Sequence, residues 1–347
     1  MSEKKESTTL YRKYRPHAFK DVRGQDHIVK ALQGAIKNKR VAHAYLFSGS
    51  RGTGKTSVAR ILARELGVTD TDLFEMDAAS NRGIDDIREL REAVYAMPFE
   101  SPYKLYIIDE AQMLTKEAWN ALLKTLEEPP AHCIFVLATT ERDKVPETIL
   151  SRCEVYSFKL PTREVLSESI ADVAKREGYT LENAAAELIA LLAEGSFRDA
   201  LSILQKVFTV SEDKKVDLKE VELVTGAPRG ELVRDMLSAI ARKDPPKALA
   251  AIQKALKEHI DARTLTKLLM HRLRAVLLLR FAPELADSLK NELSLDDFQL
   301  AEQLVKEKGI TSDTLRAILE AYATMSYAAI PHLPLEMAII DLARGEK

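Results

Sequence analysis

The chain has 347 residues, 46% of them hydrophobic and 30% charged, a composition that excludes disordered and fibrous classes and a length that calls for two or three domains. A net charge of −2 lacks the whole-chain signature of a nucleic-acid binder, and the two cysteines, Cys133 and Cys153, exclude a disulfide framework and a four-cysteine zinc site. The longest apolar stretch, 268–281, is broken by His271, Arg272, Arg274 and Arg280 short of the roughly 18 residues of a membrane span, and with no hydrophobic run in 1–10 the expected location is cytoplasmic.

In chain order, 44–48 is an apolar run that ends in a glycine-rich loop, and 57–66 then sets Val58, Ile61, Leu62 and Leu66 at helical spacing. Short apolar runs follow at 73–76, 105–108, 133–138 and 155–158, separated by helical segments near 84–95 and 116–126. This alternation predicts an α/β fold with a parallel sheet covered by helices on both faces. After Pro161 the strand pattern stops. Helical periodicity continues with breaks at Gly178, Gly195, 226–230, 244–246 and 331–334. The expected domains are 1–160, a nucleotide-binding α/β domain; 161–226, a small all-α domain; and 227–347, a second all-α domain. Charge is uneven along the chain: 1–60 holds 14 Lys/Arg against 4 Asp/Glu, and 61–130 holds 7 against 15. Any DNA contact must come from local patches or from the summed fields of several subunits.

The loop Gly49, Ser50, Arg51, Gly52, Thr53, Gly54, Lys55, Thr56 matches G-x-x-x-x-G-K-[ST] after a strand and before a helix. Its glycines let backbone N–H groups turn toward phosphate oxygens. Lys55 is placed to reach the β and γ phosphates of ATP, and Thr56 to offer a hydroxyl to Mg2+. The apolar run at 105–108 leads into Asp109 and Glu110, so a buried strand delivers two carboxylates at the sheet edge where α/β folds bind ligands. Asp109 is the expected second oxygen ligand of Mg2+, and Glu110 the group that orients and deprotonates the attacking water. At the end of the run 133–138, Thr140 either senses the γ-phosphate and the attacking water or caps the next turn. Arg152 either stabilises transition-state charge on another subunit's phosphate or forms a surface ion pair.

Several segments then carry a resemblance: Ser151-Arg152-Cys153, the Leu-Leu-Lys-Thr-Leu-Glu-Glu-Pro-Pro stretch at 122–130, the Asp-Ala-Ala-Ser-Asn-Arg-Gly-Ile-Asp stretch at 77–85, Tyr-Arg-Lys-Tyr-Arg-Pro at 11–16, and Gly24-Gln25. With the phosphate loop they resemble the AAA+ ATPases and, within them, the clamp-loader branch of the bacterial DNA polymerase III gamma/tau family. The similarity covers roughly 10–210. It implies an AAA+ P-loop domain, a helical lid and a helical collar that closes a ring. It also implies that Arg152 points at the ATP of a neighbouring subunit, and that Arg198 is a second sensor reaching the phosphates of its own subunit rather than a solvated helix charge. Arg82, Arg88 and Lys124 are either DNA phosphate contacts or solvated charge. Two departures stand out. The family's four-cysteine zinc module is missing between the phosphate-loop helix and the next strand, so no zinc is expected. The chain also ends at Lys347 without the long tau extension, which puts coupling to polymerase or helicase in doubt.

The resulting expectation is an ATPase subunit of the DNA polymerase III clamp loader that uses ATP and Mg2+ to load a sliding clamp onto primer-template DNA. It would work in a ring-shaped hetero-oligomer with delta and delta prime subunits, in the bacterial cytosol. Two alternatives stand beside it: a non-hydrolysing structural subunit like delta prime, and a branch-migration AAA+ motor.

Overall fold

The computed structural model describes residues 9–81 and 83–344, which form two compact units. One comprises Met1–Leu166 with Ala193–Ser202, the other Ser167–Leu192 with Ile203–Lys347.

In the first unit, α1 (Leu10–Lys13) and α2 (Asp26–Lys37) precede β1 (Ala44–Ser48). The chain then alternates through α3 (Lys55–Glu65), β2 (Leu73–Asp77), α4 (Ile84–Val94), β3 (Lys104–Asp109), α5 (Lys116–Glu127), β4 (Cys133–Thr139), the single turn α6 (Glu147–Leu150) and β5 (Glu154–Ser157). All five strands are parallel, in the order β2-β3-β4-β1-β5. Successive strand residues point to opposite faces, and both faces are covered. Leu46, Tyr106, Ile108, Phe135 and Leu137 pack against Ile87 of α4 and Trp119 and Leu122 of α5. Tyr45, Phe47, Leu105, Ile107 and Val136 pack against Ile28 and Leu32 of α2 and Val58, Ile61 and Leu62 of α3. Two-sided burial explains why β1 and β4 read as continuous apolar runs. Helix α2 was not anticipated from the apolar spacing. Helix α3 starts at Lys55, earlier than that spacing suggested, because Gly54 turns the chain with φ of 102° at the N-cap.

Beyond Pro161 lie α7 (Arg163–Arg176), β6 (Thr180–Leu181), α8 (Asn183–Leu192), α9 (Phe197–Phe208), β7 (Lys215–Val216) and α10 (Leu218–Thr225). After them come α11 (Gly230–Ala241), α12 (Pro245–Lys257), α13 (Ala262–Phe281), α14 (Ala286–Glu292), α15 (Leu295–Leu304), α16 (Ser312–Thr324) and α17 (Leu333–Arg344). The region is largely helical as expected, except that β6 and β7 form a two-residue parallel pair too short to leave a periodic signature. Five of its helix starts are set by side-chain caps. Asp217, Asp244, Asp261, Ser294 and Thr311 each accept the N–H three residues on, at 2.8 to 3.2 Å, contacts that contribute about 1 kcal/mol each. In this unit the buried acid Asp297 accepts from Arg272 at 2.7 Å and Arg234 at 3.2 Å. Arg280 donates to the carbonyls of Leu304, Val305, Glu307 and Ile310 just past α15, supplying partners that a helix end lacks. Among the described residues no helix is long and apolar enough to cross a membrane.

Candidate active site

The C-terminal ends of β1, β3 and β4 lie side by side in the first unit, and the loops that leave them carry most of the polar side chains of the site. The loop after β1 is held at its root, where the Gly49 N–H donates to the Thr139 carbonyl at 3.1 Å. Gly49 has φ of 146°, and a Cβ on it would lie 2.6 Å from the Phe158 carbonyl oxygen. Gly52 has φ of 76°, and a Cβ there would lie 2.1 Å from Ser196 Oγ. Both positions therefore exclude any side chain. Within the loop the Thr53 hydroxyl donates to the Ser50 carbonyl at 2.8 Å, while Ser50 and Arg51 are exposed. The Lys55 ammonium donates to the carbonyls of Gly49 at 2.7 Å and Ser50 at 3.0 Å. Burial pushes the pKa of Lys55 below its ordinary value; the Glu110 and Asp109 carboxylates pull it back up, and the positive charge of Arg198 lowers it further.

Thr56, one residue into α3, donates its hydroxyl to Asp109 Oδ2 at 2.8 Å. A hydroxyl and a carboxylate so paired, beside a loop of turned N–H groups, make the oxygen-rich donor set that suits Mg2+ bound together with phosphates. Among the described residues no cluster of three or more His, Cys, Asp or Glu could hold a metal by itself. Glu110 follows with φ of 50°, a left-handed conformation that a side-chain-bearing residue adopts at a cost of about 1 kcal/mol or more. The N–H of Glu110 is fixed by Asp109 Oδ1 at 3.0 Å. This turn carries the chain off the strand and into the short 3-10 segment Ala111–Met113.

Gln112, which the sequence reading did not single out, sits at the centre of the resulting network. Its Nε2 donates to Glu110 Oε2 at 2.6 Å and to Thr140 Oγ1 at 2.8 Å, and its Oε1 accepts from Thr139 Oγ1 at 2.8 Å and from the Thr140 N–H at 3.3 Å. The Thr140 hydroxyl is also 3.3 Å from Glu110 Oε2. A single polar residue two positions after an Asp-Glu pair is common in turns, so nothing in the local sequence marks Gln112.

Arg198, in the first turn of α9, belongs to the same compact unit through Ala193–Ser202. The Phe197 N–H donates to the Gly52 carbonyl at 3.1 Å, and Ser196 caps α9 by accepting the Asp199 N–H at 3.2 Å. Arg198 lies over the Tyr11 ring, 5.7 Å from its centroid. The structure thus brings Gly49 to Thr56, Asp109, Glu110, Thr140 and Arg198 together. Tyr11 and Ser196 are neighbours of the site to which the sequence assigned no role.

Arg152 is engaged elsewhere. It donates to the Thr148 carbonyl at 2.6 Å and to Glu127 at 2.5 Å, an ion pair across the end of α5. Arg88 pairs with Asp85 at 3.1 Å on the exposed face of α4, and Lys124 is exposed on α5. Arg82 lies outside the described residues.

The family described as "DNA polymerase III, delta subunit" matches residues 24–81 and 67–162, and that described as "DNA polymerase III clamp loader subunit, ATPase lid domain" matches 166–213. DNA polymerase III subunit tau of Bacillus subtilis is 36% identical over 357 aligned residues, 96% of this chain and 63% of that protein. DNA polymerase III subunit gamma/tau of Mycoplasma pneumoniae is 43% identical over 233 residues, covering 61% of this chain and 34% of the relative. The chain therefore spans between one third and two thirds of the length of these relatives. Among solved structures, the RuvB Holliday junction branch migration motor of Thermotoga maritima aligns with a TM-score of 0.53 at 23% identity, over 65% of this chain and 79% of that one, a likeness of fold.

Proposed function

We propose that the chain belongs, over the span it shares with them, with the bacterial DNA polymerase III gamma/tau subunits, and that it binds and hydrolyses ATP as a clamp-loader subunit. The observation that carries the reading is the hydrogen-bonded array at the ends of β1, β3 and β4. Thr56 is joined to Asp109, and Glu110 to Thr140, beside a phosphate loop with no room for a side chain at Gly49 or Gly52.

On this reading the N–H groups of 50–56 and the Lys55 charge hold the β and γ phosphates, the Gly49 N–H being committed to the Thr139 carbonyl. Thr56 and Asp109 would hold Mg2+, which when bound offsets charge on the phosphate oxygens. Glu110 orients the attacking water and takes its proton. Thr140 holds one side of that carboxylate, and Arg198 brings a second positive charge from α9. Arg152 lies apart from this array and would serve the ATP of a neighbour, which makes turnover depend on assembly. The proposed partners are delta and delta prime subunits in a ring-shaped hetero-oligomer, a sliding clamp and primer-template DNA, in the bacterial cytosol. Arg88 and Lys124, with Arg82, are the proposed contacts to DNA phosphates.

The test is ATP turnover by the chain alone and with its native partner subunits, clamp and primed DNA. The proposal expects slow turnover alone and marked stimulation on assembly. A chain that binds ATP and never turns it over in the full assembly would be a structural subunit like delta prime.

A further inference from the structure

We propose that Gln112 is a positioning residue that clamps the Glu110 carboxylate against Thr140, so that one side-chain amide couples the general base on β3 to the threonine at the end of β4; this rests on the ATP-hydrolysis reading of the site. The orientation of the amide follows from its partners. A backbone N–H can only donate, so the atom facing the Thr140 N–H at 3.3 Å is the carbonyl oxygen. An ionised carboxylate can only accept, so the atom 2.6 Å from Glu110 Oε2 is the nitrogen. The two requirements agree on a single orientation. Both N–H groups and both lone pairs of the amide are then used, on Glu110, Thr140 Oγ1, Thr139 Oγ1 and Thr140 N.

An amide saturated in this way is doing more than filling space. A methionine would occupy the same volume while satisfying none of the four partners. A free glutamate loses up to about 2 kcal/mol of rotamer freedom when it is fixed, and the Thr140 hydroxyl, at 3.3 Å, is a long contact to set the direction of Glu110 alone. Gln112 supplies that direction. It also links the carboxylate to the hydroxyl of Thr140, which stands 3.3 Å from the same oxygen. Any rotation of Thr140 toward a phosphate is therefore transmitted to Glu110 through the shared amide.

The test compares Gln112→Met with wild type in the complex assembled with native partners, clamp and primed DNA, with Glu110→Gln as the reference. Loss of the clamp should lower kcat roughly 10- to 100-fold through misplacement of the base, with KM for ATP and affinity for a slowly hydrolysed ATP analogue essentially unchanged, while the unsatisfied Thr139 and Thr140 groups lower Tm modestly. Thr139→Val, which leaves Gln112 in place but removes the hydroxyl that orients its carbonyl, should lower kcat by a smaller factor. If Gln112→Met keeps wild-type kcat while Glu110→Gln is inactive, the clamp is wrong and the site reading stands. A fall in kcat matched by an equal loss of analogue binding would also overturn it, by showing a structural role. If Glu110→Gln itself turns over at the wild-type rate, the reading of the site fails and the clamp falls with it.

Discussion

Both units of this chain bury charge, and they use it in different ways. In the helical unit Arg272 and Asp297, 8% and 6% exposed, face each other at 2.7 Å. Burial raises the pKa of Asp297, but the Arg272 charge and the hydrogen bonds around the carboxylate bring it below the usual range. In the sheet unit Lys55, 6% exposed, faces loop carbonyls and has its two carboxylates at one remove. The first arrangement spends its charge on the fold, although Arg272 Nε finds no hydrogen-bond partner among the described residues. The second leaves a cation and two acids at a strand edge beside a loop that admits no side chain at Gly49 and Gly52. Buried charge, even incompletely paired, therefore does not mark a site; buried charge beside a glycine-turned loop at a strand edge does.

Substitutions separate the two uses. Lys55→Ala should remove two charge-assisted hydrogen bonds to phosphate, worth about 3 to 6 kcal/mol together, and weaken ATP binding by roughly two to four powers of ten in calorimetry without unfolding either unit. Arg272→Ala should leave ATP affinity unchanged yet destabilise the helical unit by about 3 to 5 kcal/mol in urea titration, because Asp297 is left buried beside a lost partner. An Arg272→Ala variant with normal stability and impaired ATP binding would erase the distinction.

Asp72 sharpens the comparison inside the sheet unit, since its charge serves structure alone. Burial raises its pKa, but the N–H groups of Glu100, Phe99 and Ser101 more than reverse this and hold the carboxyl at about 2, below its ordinary value of 3.8. A depressed folded-state pKa gives stability that is fully present above pH about 4 and is lost as pH falls toward about 2. Asp72→Asn should therefore reduce stability at pH 7 and flatten its decline between those values, with ATP binding unaffected. The smallest effect expected is for Tyr11→Ala. Its ring supports Arg198 through a cation–π contact, and its loss should weaken ATP binding roughly two- to fivefold, an effect absent in an Arg198→Ala background.

Most of the sheet and the phosphate loop could be read from the sequence because their signals are local. Val58, Ile61 and Leu62 repeat at helical spacing next to the glycines, and 105–108 ends on Asp109 and Glu110. What could not be read depends on contacts between distant segments. Gln112 gains its role only because Glu110 turns left-handed and brings the amide to Thr139 and Thr140. Ser196 matters only because it fills the space a Gly52 side chain would need. The ion pair of Arg152 with Glu127 joins two segments whose spacing carries no periodic signal, and β6 and β7 are too short to show alternation.

If Glu110 activates water for ATP hydrolysis, its amide variant must separate binding from turnover. Steady-state ATP turnover, with ATP binding measured in parallel, decides this for wild type and Glu110→Gln assembled with native partners, clamp and primed DNA. Glu110→Gln should retain ATP affinity while turnover falls by about 10² to 10⁴. Turnover at the wild-type rate in that assembly would rule out Glu110 as the base.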